Sequence, residues 1–166
     1  MSTDAIVLLK EDHKEIRKLF RAFKATGPDA HATRANLTDK ILEALTVHTY
    51  IENEVMYPRV SELVPDLRAE ILESFEEHHV ADVLCQELAL MSPENERYDA
   101  KTFVLIEAVT RHIEEEEGDW FPKVRAALGR KELQDIGAQL LEARARAPHR
   151  PEQPGVIKKA ADAVFG

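Results

Sequence analysis

The sequence predicts an all-α protein: an antiparallel up-down-up-down four-helix bundle with an additional C-terminal helix and tail. Three observations lead to this fold class. Ala, Leu, Glu, Lys and Arg are abundant while the chain has only 6 glycines, and this composition favours helix. Apolar residues recur at alternating steps of three and four, as one face of a helix requires. The segments between these stretches are short, which favours antiparallel neighbours.

The helices can be placed in order along the chain. They are predicted at 4–25, 33–57, about 67–91, roughly 99–121 and about 131–146. Pro58 and Pro122 lack an amide donor, so we expect the second and fourth helices to end or kink there. Residues 1–128 would form the bundle, and 129–166 would add the fifth helix, a Pro-rich linker and a tail. Within this tail, 156–165 could form another short helix.

Charge and composition exclude several classes of protein. The formal net charge is -9, and no clustered basic face is visible, which argues against nucleic acid or an anionic membrane as a partner. The N-terminus lacks a basic leader, and no apolar stretch reaches the length of about 18 residues that a membrane span needs. A cytoplasmic protein is therefore expected. The single cysteine, Cys85, excludes an internal disulfide and a cysteine-rich metal site.

Each of the four bundle helices carries one histidine on its apolar face. These residues are His13, His48, His78 and His112. A lone histidine on such a face is more often an ordinary core residue than a ligand. Two of the helices, however, also carry an inward glutamate one turn after the histidine, Glu52 and Glu116, and residues four apart lie on the same helix face.

An internal repeat relates these residues to each other. The segment from His48 to Val60 aligns without gaps on the segment from His112 to Val124, and both read His-x3-Glu-x4-aromatic-Pro-basic-Val. The preceding helices also match, with Glu11-Asp12-His13 aligned on Glu76-Glu77-His78. Two helical hairpins related by a pseudo-twofold axis would bring four histidines and two glutamates to one level of the bundle.

A metal site explains why two glutamates face an apolar core. Burying a carboxylate costs several kcal/mol unless a charge compensates it, and two together repel. No lysine or arginine lies on these helix faces. A pair of divalent or trivalent metal ions would compensate both charges, and imidazole with carboxylate suits non-haem iron better than calcium or magnesium. Manganese or a mixed site is the alternative.

These motifs resemble the hemerythrin-like (HHE cation-binding) family of bacterial and animal di-iron proteins, over roughly residues 5–125. The resemblance implies two non-haem iron ions joined by an oxo or hydroxo bridge. It implies that one iron is bound by His13 and His48, the other by His78 and His112, and that Glu52 and Glu116 bridge the two.

The sequence departs from the oxygen-carrying members of the family at one position. These proteins have a fifth histidine one turn before the third-helix ligand, where this chain has Ser74. The departure argues against reversible oxygen carriage alone. Four other residues are candidates for an extra contact with the metals: Asp82, Glu77, Tyr50 and Tyr57.

The expected function is binding of dioxygen, peroxide or nitric oxide at the di-iron centre, and whether peroxidase-like turnover follows is left open. One alternative is a module that senses or stores oxygen or iron without catalysis. Another is a ferritin-like di-metal protein, which would need two Glu-x-x-His pairs. Only Glu76 and His79 have that spacing.

Overall fold

The computed structural model describes residues 3–151, and every regular element in that range is helical. The α-helices are α1 (Ala5–Lys24), α2 (His31–Ile51), α3 (Tyr57–Leu63), α4 (Arg68–Leu90), α5 (Tyr98–Glu115), α6 (Phe121–Ala127) and α7 (Arg130–Arg146). A 3-10 turn, Pro65–Leu67, precedes α4. The predicted all-α class is confirmed, and the packing is consistent with a four-helix bundle plus a C-terminal helix.

Two π-helical segments join helices that the sequence predicted to end at proline. The first π segment, Glu52–Met56, connects α2 to α3, and the second, Glu116–Trp120, connects α5 to α6. Both helices therefore continue six residues past the expected ends at 57 and 121, to Leu63 and Ala127, and neither ends at its proline. Each proline lies in the first turn of the new α-helix, directly after the π segment, a position at which its fixed φ is compatible with helix.

The apolar core is divided into two clusters by a layer of polar side chains. Along α1, Leu9 belongs to one cluster and Ile16 to the other, with His13 between them. Along α4, Phe75 and Ala81 lie in the same way on either side of the next histidine. The polar layer consists of His13, His48, Glu52, His78, His112 and Glu116, all buried.

Helix α7 packs against α1, α2 and the first π segment. Its inward residues Leu133, Ile136 and Leu140 are at most 1% exposed, as the apolar pattern predicts. The sequence pattern places Leu133, Ile136, Leu140 and Leu141 on one side of this helix, but Leu141 is 42% exposed. The fifth helix thus closes one side of the bundle next to the polar layer.

The close approach of α7 to the N-terminal segment gives a stability prediction. A Cβ on Gly137 would overlap the backbone carbonyl of Thr3, so Gly137→Ala should lower the free energy of unfolding by about 1–3 kcal/mol. Gly118 has open space around it, so Gly118→Ala should be neutral or stabilising by up to about 1 kcal/mol. Urea denaturation of both variants measures the difference; equal stabilities would contradict the contact.

Among residues 3–151, no helix is both long enough and apolar enough to cross a membrane. The short helix predicted at 156–165 lies outside the described residues. Cys85 is 3% exposed and belongs to the same apolar cluster as Ile16, as the sequence predicts for a small core residue.

Candidate metal centre

The four histidines of the polar layer form two pairs. The Nε2 atoms of His13 and His48 lie 3.1 Å apart, and those of His78 and His112 also lie 3.1 Å apart. Each pair joins one histidine from the first helix of a repeat to one from the second helix of the same repeat. The resemblance assigned the same two pairs of histidines to one iron each.

The two glutamates lie between the pairs. Glu52 Oε1 is 2.8 Å from His48 Nε2 and 3.6 Å from His78 Nε2. Glu116 Oε1 is 3.4 Å from His13 Nε2 and 3.3 Å from His112 Nε2. Each carboxylate therefore has one oxygen close to a histidine of each pair, which is the position a bridging ligand requires.

The donor atoms fit a metal ion in two places. The nitrogen and carboxylate atoms of one group, His13, His48, Glu52 and Glu116, all lie within 4.8 Å of one another. Those of a second group, Glu52, His78 and His112, satisfy the same limit. Glu52 belongs to both groups.

Unsatisfied polar atoms support the fit to a cation. Both oxygens of Glu52 and Oε1 of Glu116 are buried, and within residues 3–151 none of them accepts a hydrogen bond of good geometry. Buried carboxylate oxygens without such partners are unfavourable unless a cation is close. The layer therefore has the chemistry of a metal site rather than that of a self-contained polar network.

The hemerythrin HHE cation-binding domain family matches residues 4–124, which include all six of these residues. The chain belongs to this family. A comparison with curated proteins found no match. A crystal structure of a hemerythrin HHE cation-binding domain-containing protein from Mycobacterium kansasii is similar in fold, with a TM-score of 0.65 and 24% sequence identity. The similarity covers 86% of this chain and 88% of that one.

In this HHE domain the fifth helix contributes to the orientation of one histidine. The Nδ1–H of His48 donates to Asp12 Oδ2 over 3.0 Å. Asp12 is in turn held by Arg144 of α7, whose Nη2 lies 2.8 Å from both carboxylate oxygens. This chain of contacts fixes the ring and leaves Nε2 directed into the centre.

A similar arrangement holds His13. Its Nδ1 lies 3.1 Å from Glu117 Oε1, and Arg17 donates two hydrogen bonds to the Glu117 carboxylate. With Nδ1–H donated outward, the Nε2 lone pairs of both histidines in this pair face each other. Two facing lone pairs repel unless a proton or metal ion lies between them.

The second pair is oriented by different groups. His78 Nδ1 is 2.8 Å from the Asn53 amide oxygen, and His112 Nδ1 is 3.5 Å from Glu77 Oε2. Glu77, a candidate for metal contact from the sequence, instead faces the outer side of His112. The four outer partners fall at two sets of equivalent repeat positions: Asp12 with Glu77, and Asn53 with Glu117.

That equivalence is the sequence signal that could have predicted the outer partners. Asp12 and Glu77 each precede the first histidine of a repeat, and each contacts the second histidine of its own repeat. The residues that follow the two core glutamates contact the first histidine of the other repeat. The alignment of the two repeats includes both sets of outer partners. The helical pattern alone does not predict that they contact the histidines.

The two histidines of each pair differ in pKa when no metal is bound. Burial lowers the pKa of His13, whereas for His48 the charge of Glu52 and its hydrogen bonds outweigh burial and raise the pKa to about 10. In the second pair the pKa of His78 is well below its usual value because of burial, and that of His112 is well above it because nearby carboxylates outweigh burial. In each pair, one histidine is therefore protonated much more readily than the other.

The two glutamates also differ in pKa. Burial, together with the negative charge of Glu116, raises the pKa of Glu52 to about 7. Burial acts in the same direction on Glu116, but the positive charge of the nearby His112 outweighs it and holds the pKa of Glu116 well below its usual value. Two buried carboxylates this close are difficult to ionise together, and a bound cation removes that difficulty.

A tyrosine makes the centre asymmetric. The hydroxyl of Tyr57, which is fully buried, lies 3.2 Å from His78 Nε2 and 3.3 Å from His112 Nε2, and it donates to Glu116 Oε2 over 3.1 Å. The equivalent residue of the second repeat, Phe121, stacks on His13 with ring centroids 5.7 Å apart. A hydroxyl is therefore present beside the second histidine pair, while a phenyl ring packs against the first.

The π segments explain why these aromatic side chains point inward. The Tyr57 N–H donates to the Glu52 carbonyl, and the Phe121 N–H donates to the Glu116 carbonyl. Each of these hydrogen bonds joins residues five positions apart, whereas an α-helical bond joins residues four apart. The turn therefore contains one residue more than an α-helical turn. The extra residue brings the aromatic side chain towards the face that carries the glutamate.

The remaining candidates lie outside the two ligand groups. Ser74 is buried and hydrogen-bonds Tyr57, and Tyr50 packs against the apolar core as a half-buried residue. Asp82 is in neither group. The ferritin-like alternative gains no support, because Glu76 is exposed, His79 is half-buried and neither is in a group.

Proposed function

We propose that this HHE domain holds two iron ions and binds a small oxidant at them: dioxygen, peroxide or nitric oxide. The observation that carries the proposal is the pair of histidine sets with two carboxylates between them. His13 and His48 would hold one ion and His78 and His112 the other, with bridging by the two glutamates.

Iron is proposed because of the type of ligand. Imidazole nitrogen together with carboxylate oxygen suits iron, whereas calcium and magnesium prefer oxygen alone and structural zinc sites are mononuclear with four ligands. We further propose Tyr57 as a ligand of the second iron, because its hydroxyl lies within 3.3 Å of both histidines of that pair. Tyr57 would take the place of the fifth histidine of the oxygen-carrying proteins, where this chain has Ser74.

The ligand set leaves room for a small molecule. Two six-coordinate ions have about twelve positions, of which four histidines and two bridging carboxylates fill about eight. Tyr57 would take another. The bound irons would supply a change of oxidation state and open coordination positions. The residues around the site determine which molecules can reach those positions.

An apolar cavity beside the centre suits a small oxidant. It has a volume of about 100 Å³ and is lined by Leu45, Ala81, Val109 and Ile113, together with three of the histidines. This volume exceeds that of one water molecule, about 30 Å³, and accommodates a diatomic molecule. Thr49, Glu77 and Arg111 also line the cavity, but its walls are mainly apolar, which suits dioxygen or nitric oxide better than a charged species.

Spectroscopic titration tests the proposal. The iron-loaded protein should change its visible spectrum in a saturable way with at least one of nitric oxide, dioxygen and hydrogen peroxide. Val109→Phe, which fills the cavity, should slow nitric oxide binding with unchanged iron content. Val104→Phe, at a 54%-exposed position of the same helix, serves as the control.

The outcomes distinguish reversible binding from turnover, and they distinguish both from a protein that reacts with none of the three molecules. A spectrum that reverts when the oxidant is removed indicates a carrier or sensor, and continuous consumption of peroxide or nitric oxide indicates an enzyme. An iron-loaded protein that neither changes spectrum nor consumes any of the three molecules would contradict the proposed function.

A further inference from the structure

A second cavity approaches the centre, and its walls are acidic. It has a volume of about 310 Å³ and lies between α4 and the helix formed by α5 and the second π segment. We call it the acidic vestibule and define it by its five outer carboxylates: Glu70, Glu73, Glu77, Glu115 and Asp119. Its inner end is formed by Ser74, His112 and Glu116.

The vestibule leads from solvent to a buried carboxylate. Glu73, Glu115 and Asp119 are exposed, Glu70 and Glu77 are half-buried, and Glu116 at the inner end is only 2% exposed. Oε1 of Glu116 accepts no hydrogen bond of good geometry in the part of the chain that the structure describes. The carboxylates thus continue from the surface to an oxygen that belongs to the candidate metal site.

A lysine lies at the outer rim. The ammonium of Lys123 is 2.9 Å from Glu70 Oε1 and 3.0 Å from Asp119 Oδ2. Its positive charge does not balance five carboxylates, so the vestibule stays strongly negative.

The acidic vestibule and the apolar cavity contact the same centre but differ in chemistry. Aliphatic side chains dominate the apolar cavity, and Glu77, which lines both cavities, is the one carboxylate among its described lining residues, so a hydrated divalent cation would find little there to replace its water. In the vestibule, carboxylates can replace that water one step at a time.

We propose that the acidic vestibule is the route by which a divalent metal cation, Fe²⁺ in the first instance, enters the centre. The inference rests on the proposed function, because it requires that the buried residues bind metal. A negatively charged cleft concentrates cations and can raise their association rate by about 10- to 1,000-fold. The exposed carboxylates would attract the ion, and Glu77 and Glu116 would receive it.

The rate of metal uptake by the metal-free protein tests the route. We would mix the metal-free protein with Co²⁺ alone and follow the visible absorption of the bound ion by stopped flow. The triple variant Glu73→Gln, Glu115→Gln, Asp119→Asn should take up Co²⁺ about tenfold more slowly at low salt. The difference should shrink near 1 M salt, where charges are screened beyond about 3 Å.

Two further variants serve as controls. Glu94→Gln, Glu96→Gln, Glu142→Gln removes the same number of charges at exposed positions outside the vestibule, and it should leave the uptake rate nearly unchanged. Lys123→Gln should accelerate uptake, because it frees Glu70 and Asp119.

The final metal content separates this inference from the proposed function. All variants should reach the same Co²⁺ content as the wild-type protein when equilibrated, since none removes a ligand. Equal slowing by the two triple variants, or no slowing by either, would overturn the route while leaving the metal centre intact. A wild-type protein that binds no Co²⁺ or Fe²⁺ at equilibrium would overturn the proposed centre itself.

Discussion

Replacing Glu116 by glutamine is expected to remove at least half of the iron that the proposed centre would hold, while leaving the helix content unchanged. The substitution keeps the size of the side chain but removes a charge that lies within 3.4 Å of one histidine from each pair. Loss of the proposed bridging carboxylate would weaken the binding of both ions. We therefore expect a decrease from about two irons per chain to about one or fewer. Glu52→Gln should act in the same direction.

The control for this prediction is Glu114→Gln, at an exposed position two residues earlier on α5. Its iron content should equal that of the wild-type protein. Circular dichroism and iron analysis of each variant provide the two measurements. Unchanged iron content in both core variants, together with a more stable fold, would indicate that Glu52 and Glu116 are only buried structural residues.

Replacing Tyr57 by phenylalanine is expected to abolish a visible absorption band of the iron-loaded protein. A phenolate bound to ferric iron gives a charge-transfer transition in the visible region, and the Tyr57 hydroxyl lies beside the second histidine pair. A phenylalanine at this position would match Phe121 of the other repeat, so the fold should tolerate it. Iron content should stay close to that of the wild-type protein, because the four histidines and two glutamates are retained.

Phe121→Tyr is the complementary variant. The Phe121 ring stacks on His13, so an added hydroxyl would lie near the first pair instead of the second. Absorption and resonance Raman spectra of both variants, at matched iron content, measure the effect. A wild-type spectrum that persists in Tyr57→Phe would show that the hydroxyl is not a ligand and contributes only its hydrogen bond to Glu116.

The six core residues could be predicted because the repeat supplied two independent copies of one pattern. A single His-x3-Glu spacing is compatible with ordinary core packing. Two aligned copies, each preceded by a helix with one histidine, require that all six side chains face the same layer. The structure places them there, in two pairs with the glutamates between.

The position of Tyr57 could be proposed from the sequence but not decided. At α-helical spacing, a residue five positions after Glu52 lies well off the face that carries the glutamate. The π segment changes that spacing, and its presence depends on how Pro58 is accommodated. The sequence predicts an end or a kink at the proline, so it names Tyr57 only as one of four candidates for an extra contact.

The contacts of α7 were also beyond sequence reasoning. Arg144 reaches Asp12, 132 positions earlier in the chain, and an arginine in the last turn of an amphipathic helix is usually a solvated residue or a favourable charge at the helix end. Only the packing of α7 against α1 and α2 shows that it orients His48. The fifth helix is therefore connected to the candidate metal centre.

The metal content of the purified protein tests the central claim most directly. Protein produced with ample iron, and analysed by inductively coupled plasma mass spectrometry against an accurate protein concentration, should contain about two irons per chain. Two pairs of histidines with two carboxylates between them are expected to bind two ions rather than one. A reproducible content of one zinc and no iron would contradict the account.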